Sequence, residues 1–227
     1  MSRPQTFTHM EALTSLSNNI IITIDGPAAS GKSSVGRLLA KKLHFVFVSS
    51  GSYYRALAWS ALQENLDISE ETNILRWLKT LHLETRINDG EAHPLINQVD
   101  PMNQLFEKKV NVLVSPLAAS SAVRNFLLRT LRELALGLNI VMEGRDIGSV
   151  VFPETRWKFY LHASDDERIR RRTQEGEDDS ILERDRIDST RQLAPLMIPK
   201  GATVIDTTHL GISEVTEKIF TDLKDSQ

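Results

Sequence analysis

Two glycines and a Lys-Ser pair lie between a predicted strand and a predicted helix, and they restrict the fold more than any other feature of this sequence. The stretch "GPAASGKSS" (residues 26–34) follows "NIIITID", an apolar run whose Ile and Thr residues favour a strand. It leads into "KSSVGRLLAKKL", where apolar residues recur on one helical face. Strand, glycine loop and helix, with Gly-x4-Gly-Lys-Ser spacing, form the context of a phosphate-binding P-loop.

The residue types of this loop suit phosphate binding. Gly26 and Gly31 allow backbone angles that a side chain would forbid, so successive N–H groups can turn inward. The following helix adds the partial positive charge of its N-terminus. We expect Lys32 to reach the β- and γ-phosphates of a nucleotide and Ser33 to offer its hydroxyl to Mg²⁺. A plain glycine-rich turn is the alternative, and the flanking strand and helix disfavour it.

Strand and helix signals alternate along the rest of the chain. Further short strands are predicted at 45–49, 139–143, 156–162 and 202–207. This alternation predicts an α/β protein, a P-loop parallel β-sheet core with helices on both faces. The Asp89-Gly90 pair is a strong hairpin signal within that pattern and predicts an inserted subdomain at about 82–115. We predict a flexible extension at 1–18 and a single domain at 19–227.

Composition limits the partners that the protein can have. A net charge of −3 argues against a nucleic-acid polymer as partner, because binding one would call for a basic face. The chain has no cysteine, which excludes disulfides and permits a reducing compartment, and its six histidines lack metal-ligand spacing. No apolar run approaches the length of a membrane helix, and the first 18 residues lack the features of a signal peptide. We therefore predict a cytoplasmic protein with neither a membrane nor a nucleic-acid polymer as partner.

Arginines in several separated motifs favour phosphoryl transfer over phosphate binding alone. The strings that a GTPase needs, Asp-x-x-Gly and Asn-Lys-x-Asp, do not occur in the sequence. Guanidinium groups neutralise the charge that spreads over donor and acceptor phosphates during transfer. Arg184, Asp188 and Arg191 share one helical face and could hold a ribose hydroxyl and two phosphates, although a solvated, salt-bridged helix is also consistent with their spacing.

The order of these motifs resembles that of bacterial-type cytidylate (CMP) kinases, which are P-loop nucleoside monophosphate kinases. The resemblance rests on "IDGPAASGKSS", "SSGSYYR", "EGRDIGSVVFP", "ERDRIDSTRQLAPL" and "VIDTTHL", and it extends from about Ile20 to the C-terminus. It implies phosphorylation of CMP or dCMP by ATP with Mg²⁺. It also implies that the insertion at about 82–115 is the subdomain that binds the nucleoside monophosphate, and that a short lid lies at about 168–182.

The resemblance also implies the residues of the site. ATP would be bound by Gly26, Pro27, Ala28, Ala29, Ser30, Gly31, Lys32, Ser33 and Ser34, with Ser33 at the metal. The CMP phosphate and the transferring group would be surrounded by Ser50, Arg55, Arg145, Arg184 and Arg191. Cytosine would face Ser115, Arg124 and Asp146, and the ribose would face Asp188. The residues expected to be catalytic are Lys32, Arg145, Arg184 and Arg191.

The proposed base contacts suit cytosine, which offers an amino donor at N4 and acceptors at N3 and O2. A carboxylate can accept from the amino group, while Arg and Ser can donate to the ring acceptors. Ser49 departs from the family pattern, in which Asp is usual, and the segment "TQEGEDDSIL" is about half the usual length. A kinase for UMP or AMP and a regulatory P-loop nucleotide hydrolase are the two alternatives. We expect a monomer.

Overall fold

The computed structural model describes residues 19–174, 181–190 and 195–225. Its seven strands are β1 (Ile21–Asp25), β2 (Val46–Ser49), β3 (Leu83–Asn88), β4 (Glu91–Ile96), β5 (Ile140–Gly144), β6 (Trp157–His162) and β7 (Thr203–Asp206). They form one sheet in the order β3-β4-β2-β5-β1-β6-β7, in which every neighbouring pair is parallel except β3 and β4. The predicted parallel sheet is therefore confirmed, and the predicted extension at 1–18 lies outside the described residues.

The described helices lie on both faces of this sheet. They are α1 (Lys32–Leu43), α2 (Ser50–Gln63), α3 (Glu71–Thr80), α4 (Lys108–Ala119), α5 (Ser121–Leu134), α6 (Asp165–Gln174), α7 (Ile181–Thr190) and α8 (Ile212–Asp225). A 3₁₀ turn covers Met102–Gln104 and a π-helical turn covers Ile147–Val151. Among the described residues, no helix has both the length and the apolar character needed to cross a membrane.

The core consists of two apolar clusters, one on each face of the sheet. Successive residues of β5 alternate between them, with Ile140 and Met142 in one cluster and Val141 in the other. The first cluster takes its helical residues from α2, α3, α4 and α5, and the second takes them from α1 and α8. Because the central strands are parallel, their carboxyl ends lie at one edge of the sheet, where ligands of such sheets bind.

The predicted hairpin is present and extends the edge of the main sheet. Its turn residues Asp89 and Gly90 both have positive φ, 50° and 77°, which the tight turn between β3 and β4 requires. Strand β4 pairs in parallel with β2 through Phe47 and Glu91. The hairpin is thus continuous with the core sheet, and the division of 82–115 from the rest of the domain stays a prediction.

Candidate active site

The loop between β1 and α1 has the backbone geometry that its glycines predict. Gly26 and Gly31 have φ values of 149° and 91°, and a Cβ atom at residue 26 would lie 2.0 Å from the Leu161 carbonyl oxygen. Gly26 is therefore needed both for its dihedral angle and for the close approach of the loop to β6. Within the loop, the Ser30 hydroxyl donates to the Pro27 carbonyl oxygen at 3.0 Å.

Lys32 begins α1, and its ammonium group is buried under the loop. Its Nζ donates to the Pro27 carbonyl oxygen at 2.5 Å and lies 3.3 Å from the Ser30 hydroxyl. Burial, followed by the nearby positive charge of Arg145, lowers the pKa of Lys32 from 10.5 to about 7. A negatively charged ligand on the loop would reverse this shift, because it stabilises the protonated amine.

Glu143 joins the two sides of the site. This buried residue lies at the carboxyl half of β5, and its Oε1 accepts hydrogen bonds from the hydroxyls of Ser33 at 3.1 Å and Ser49 at 2.5 Å. Ser33 belongs to the P-loop and begins α1, whereas Ser49 ends β2 and precedes α2. The carboxylate of Glu143 thus holds the Ser49 hydroxyl in the site.

Helices α6 and α7 each form a hydrogen bond with the backbone of Ala28 in the P-loop. The Ala28 N–H donates to Asp185 Oδ1 of α7 at 3.0 Å, and the Ala28 carbonyl oxygen accepts from Arg168 of α6 at 3.0 Å. Arg168 also donates to Asp185 and, at 2.7 Å, to Asp165. Arg168 and Asp185 are both buried, so this ion pair fixes the loop relative to α6 and α7.

Arg145 lies just beyond β5, in the "EGRDIG" segment. Its Nε donates to Asp188 Oδ2 at 2.9 Å, and its NH1 donates to the Gly26 carbonyl oxygen at 3.3 Å. Its NH2 lies 3.9 Å from Asp185. The guanidinium therefore lies between the start of the P-loop and α7, and its catalytic role stays a prediction.

Arg124 and Asp146 form a buried ion pair. Asp146 accepts from NH2 of Arg124, whose NH1 donates to the Ala118 carbonyl oxygen at 3.2 Å. The side chains of the pair are 7% and 9% exposed, so removing either one would leave a buried charge without this ion pair. The Arg124 guanidinium also lies 5.8 Å from the centre of the Tyr54 ring. The sequence predicted that both charged residues face a base, and the structure brings them together.

Ser50 and Arg55 lie on α2, which begins at the carboxyl end of β2. A Cβ atom at Gly144 would lie 2.4 Å from the Ser50 hydroxyl oxygen, so glycine allows β5 and α2 to approach each other. Arg55 donates from Nε to Asn111 at 3.3 Å and lies 4.9 Å from the centre of the Phe106 ring. These contacts hold the arginine against α4 and the segment before it.

One cleft of about 410 Å³ brings most of these side chains together. The predicted residues that line it are Ala28, Ala29, Gly31, Lys32, Ser33, Ser34, Ser50, Arg55, Ser115, Arg145, Asp146 and Asp188. Gly26, Pro27 and Ser30 are buried within the loop, and Arg124 is buried beside Asp146. Arg191 and the side chain of Arg184 lie outside the described residues. The volume is within the usual range for a small-molecule site.

Sequence reasoning missed four polar residues that shape the site: Asp25, Glu143, Arg168 in its contact with the loop, and Asp185. Asp25 and Glu143 occupy the carboxyl ends of adjacent strands, so the rule that ligands bind at that edge could have identified them. The contacts of Arg168 and Asp185 carry no such signal, because they depend on how α6 and α7 pack against the loop.

Comparisons with known proteins agree with this geometry. Residues 22–225 match the family model described as cytidylate kinase. Cytidylate kinase from Geobacillus sp. (strain WCH70) is 37% identical over 214 residues, covering 89% of this chain and 96% of that protein. Cytidylate kinase from Protochlamydia amoebophila (strain UWE25) is 36% identical over 216 residues, covering 88% and 95%. Shikimate kinase from Acinetobacter baumannii is similar in fold, with a TM-score of 0.50 and 16% identity over 96% of this chain and 98% of that chain.

Proposed function

This chain belongs to the cytidylate kinase family, and on that basis we propose that it transfers the γ-phosphoryl group of ATP to CMP or dCMP. The products are ADP and CDP or dCDP. The observation that carries the proposal is the shared cleft, in which Lys32 and the P-loop face Ser50, Arg55 and Arg145. A site that combines a phosphate-binding loop with arginines from other segments suits the binding of two nucleotides at once.

The donor nucleotide binds at the loop. The loop N–H groups and the N-terminus of α1 bind its phosphates, and Lys32 turns from the Pro27 carbonyl oxygen to the β- and γ-phosphates. Arg145 lies 3.3 Å from the Gly26 carbonyl oxygen and is positioned to neutralise charge between donor and acceptor. Catalysis is by positioning and electrostatic stabilisation, without a covalent intermediate.

The hydroxyl of Ser33 and the carboxylate of Glu143 fit a magnesium ion. They are oxygen ligands of the type that Mg²⁺ prefers, and their oxygen atoms are 3.1 Å apart. One or two protein oxygens suffice for Mg²⁺ bound with a nucleotide, since phosphates and waters complete the shell. When bound, the ion supplies neutralisation of the phosphate charge.

The acceptor nucleotide binds at the residues from the other segments. Ser50, Arg55 and Arg145 bind its phosphate. Asp188 binds its ribose, and the cytosine is bound by Ser115 and the Arg124–Asp146 pair. Arg184 and Arg191 complete the phosphate contacts in this proposal. The lid at 168–182, the monomeric state, the cytoplasmic location and the absence of a nucleic-acid polymer or a membrane partner stay predictions.

Acceptor dependence tests this function. We expect a coupled assay with ATP and Mg²⁺ to show ADP formation that requires CMP or dCMP. ADP formation that requires UMP or AMP instead would indicate another acceptor on the same scaffold. ADP formation at the same rate without any acceptor would indicate a nucleotide hydrolase and would contradict the proposal.

The lowered pKa of Lys32 predicts that nucleotide binding takes up a proton. At about pH 8 the free amine, with a pKa of about 7, is mostly neutral, and bound phosphates raise its pKa so that it becomes charged. Calorimetry with ADP and EDTA, in two buffers of different ionisation enthalpy, should show uptake of about one proton. The Lys32→Met variant should show none. Equal uptake by both proteins would assign the proton to another group.

The contact between α7 and the P-loop predicts that weakening it raises the KM for ATP. Asp185→Asn weakens the ion pair with Arg168 at Ala28, so the KM for ATP should rise roughly five- to tenfold, equivalent to about 1 kcal/mol. Asp165→Asn is the matched control, because Asp165 contacts the same arginine from an exposed position. Equal KM values for ATP in the two variants would contradict a specific role of the buried contact.

A further inference from the structure

Asp25 is a buried carboxylate that the proposed mechanism does not use. It lies at the carboxyl end of β1 and is 0% exposed. Its Oδ1 accepts the Ile147 N–H and its Oδ2 accepts the Gly148 N–H, each at 2.7 Å. Both oxygens therefore bind the first two residues of the π-helical turn Ile147–Val151.

The same turn is held at its other end by Arg132 of α5. Arg132 donates from Nε to the Val151 carbonyl oxygen at 2.7 Å and from NH2 to the Val150 carbonyl oxygen at 3.2 Å. An anionic group thus binds the N–H end of the turn and a cationic group binds its carbonyl end. Each charge matches the partial charge of the backbone groups that it contacts.

A glycine is required where the turn meets β1. A Cβ atom at residue 148 would lie 2.7 Å from the Thr23 hydroxyl oxygen and 3.0 Å from Asp25 Oδ2. The glycine of the "RDIG" string therefore allows the backbone to reach the carboxylate. Burial raises the pKa of Asp25 to about 7, against the lowering effect of the two N–H bonds. Burial at this position thus disfavours the charged form of Asp25, and its two N–H partners offset part of that cost.

The turn directly follows Arg145 and Asp146, which face the acceptor in the proposed function. The Asp146 carbonyl oxygen accepts the Val150 N–H at 2.9 Å, so the turn and the acidic residue share one hydrogen-bonded unit. Asp25 also directly precedes Gly26, whose carbonyl oxygen accepts from Arg145. The carboxylate therefore links the start of the donor loop to the backbone that carries the two acceptor-site residues.

We propose that Asp25 is a positioning residue of the acceptor site, which fixes the turn and thereby aims Arg145 and Asp146 at the acceptor nucleotide. It contacts neither substrate. The inference rests on the proposed function, because it takes Asp146 to face the base. In the Asp25→Asn variant the amide oxygen can accept only one of the two N–H groups, and its NH₂ opposes the other. The turn should then move, and the base should be recognised less well.

Comparison of CMP and UMP as acceptors tests this role. We expect Asp25→Asn to lower kcat/KM for CMP at least about tenfold and to narrow the CMP/UMP ratio, since one buried N–H loses its acceptor. The KM for ATP should change less than the KM for CMP. The ratio does not depend on the folded fraction of the protein, so a loss of stability alone would leave it unchanged. Thr23→Val is the matched control, because Thr23 is buried on the same strand beside Gly148 and makes no hydrogen bond to the turn among those described.

Arg132→Gln provides a second test that does not depend on the folding of the Asp25 variant. Arg132 is exposed, and its loss frees the opposite end of the same turn. The ratio of kcat/KM for CMP to that for UMP should therefore fall, as in Asp25→Asn. Wild-type ratios in both variants, or in Arg132→Gln where Asp25→Asn does not fold, would overturn the positioning role while CMP remains the acceptor. A wild-type enzyme that does not phosphorylate CMP would overturn the proposed function and this inference together.

Discussion

Replacing Lys32 with alanine should lower kcat roughly 10²–10³-fold, the range found when one preorganised electrostatic donor is removed from an active site. The variant loses the only cation that α1 places under the P-loop in the described structure. Its melting temperature should be little changed, because the substitution also removes a buried ammonium whose lowered pKa reflects the cost of burying its charge. Steady-state kinetics and thermal unfolding on the same preparation measure both effects.

Lys41→Ala is the matched control, since Lys41 is an exposed lysine in the last turn of the same helix. It should retain the wild-type kcat. Near-native turnover in Lys32→Ala, with an unchanged melting temperature, would show that Lys32 does not act at the donor phosphates.

Replacing Asp146 with asparagine should reduce the CMP/UMP ratio of kcat/KM by roughly 10- to 100-fold, mainly through a loss with CMP. Uracil presents an acceptor at O4 where cytosine presents an amino group, and its N3–H opposes an arginine donor. Sites with such buried polar pairing can discriminate by up to roughly 10⁴–10⁵. An asparagine can turn either its oxygen or its NH₂ toward the base, so the discrimination is weakened.

Stability must be measured together with this ratio, because Asp146→Asn removes a negative charge that is paired with the buried guanidinium of Arg124. Glu64→Gln is a suitable control, since Glu64 bonds the Trp77 indole and the Ser60 hydroxyl away from the cleft. That variant should keep the wild-type ratio. An equal fall in CMP and UMP turnover in Asp146→Asn would show that Asp146 does not recognise the base and instead orients Arg145 or a metal-bound water.

Features with local causes could be predicted from the sequence. Gly26 and Gly31 have the positive φ values that the spacing of the loop predicts, and Asp89-Gly90 forms the expected hairpin turn. The parallel sheet follows from alternating apolar strands and helical segments, because each strand needs cover on both faces. In each case the residues that determine the structure are neighbours in the chain.

Features that depend on distant contacts could not be predicted in the same way. The bonds of Ala28 to Arg168 and Asp185 span 140 and 157 residues, and the bond of Ser33 to Glu143 spans 110. Nothing near any of these residues specifies its partner. The sequence could therefore identify the residue types of the site, and the strand ends could have pointed to Glu143, but neither specifies which groups hydrogen-bond to each other.

The junction of α4 and α5 shows a local signal that was easy to misinterpret. In the string "SPLAASSAVR" (115–124), Pro116 would by itself favour a helix boundary. The structure places Pro116 inside α4, ends that helix at Ala119, and begins α5 after Ser120, whose hydroxyl accepts the Val123 N–H at 3.3 Å. The N-cap serine, rather than the proline, marks the boundary.

The destination of the γ-phosphoryl group of ATP shows whether this cleft transfers it from one bound nucleotide to another. With ATP labelled in its γ-phosphate, Mg²⁺ and CMP, we expect the label to appear in the β-phosphate of CDP in step with the formation of ADP. The Lys32→Ala variant should slow both products together, because one transfer forms them. Label that appears only as inorganic phosphate, with CMP unchanged, would show that water is the acceptor and would contradict the assignment of the acceptor site to a nucleoside monophosphate.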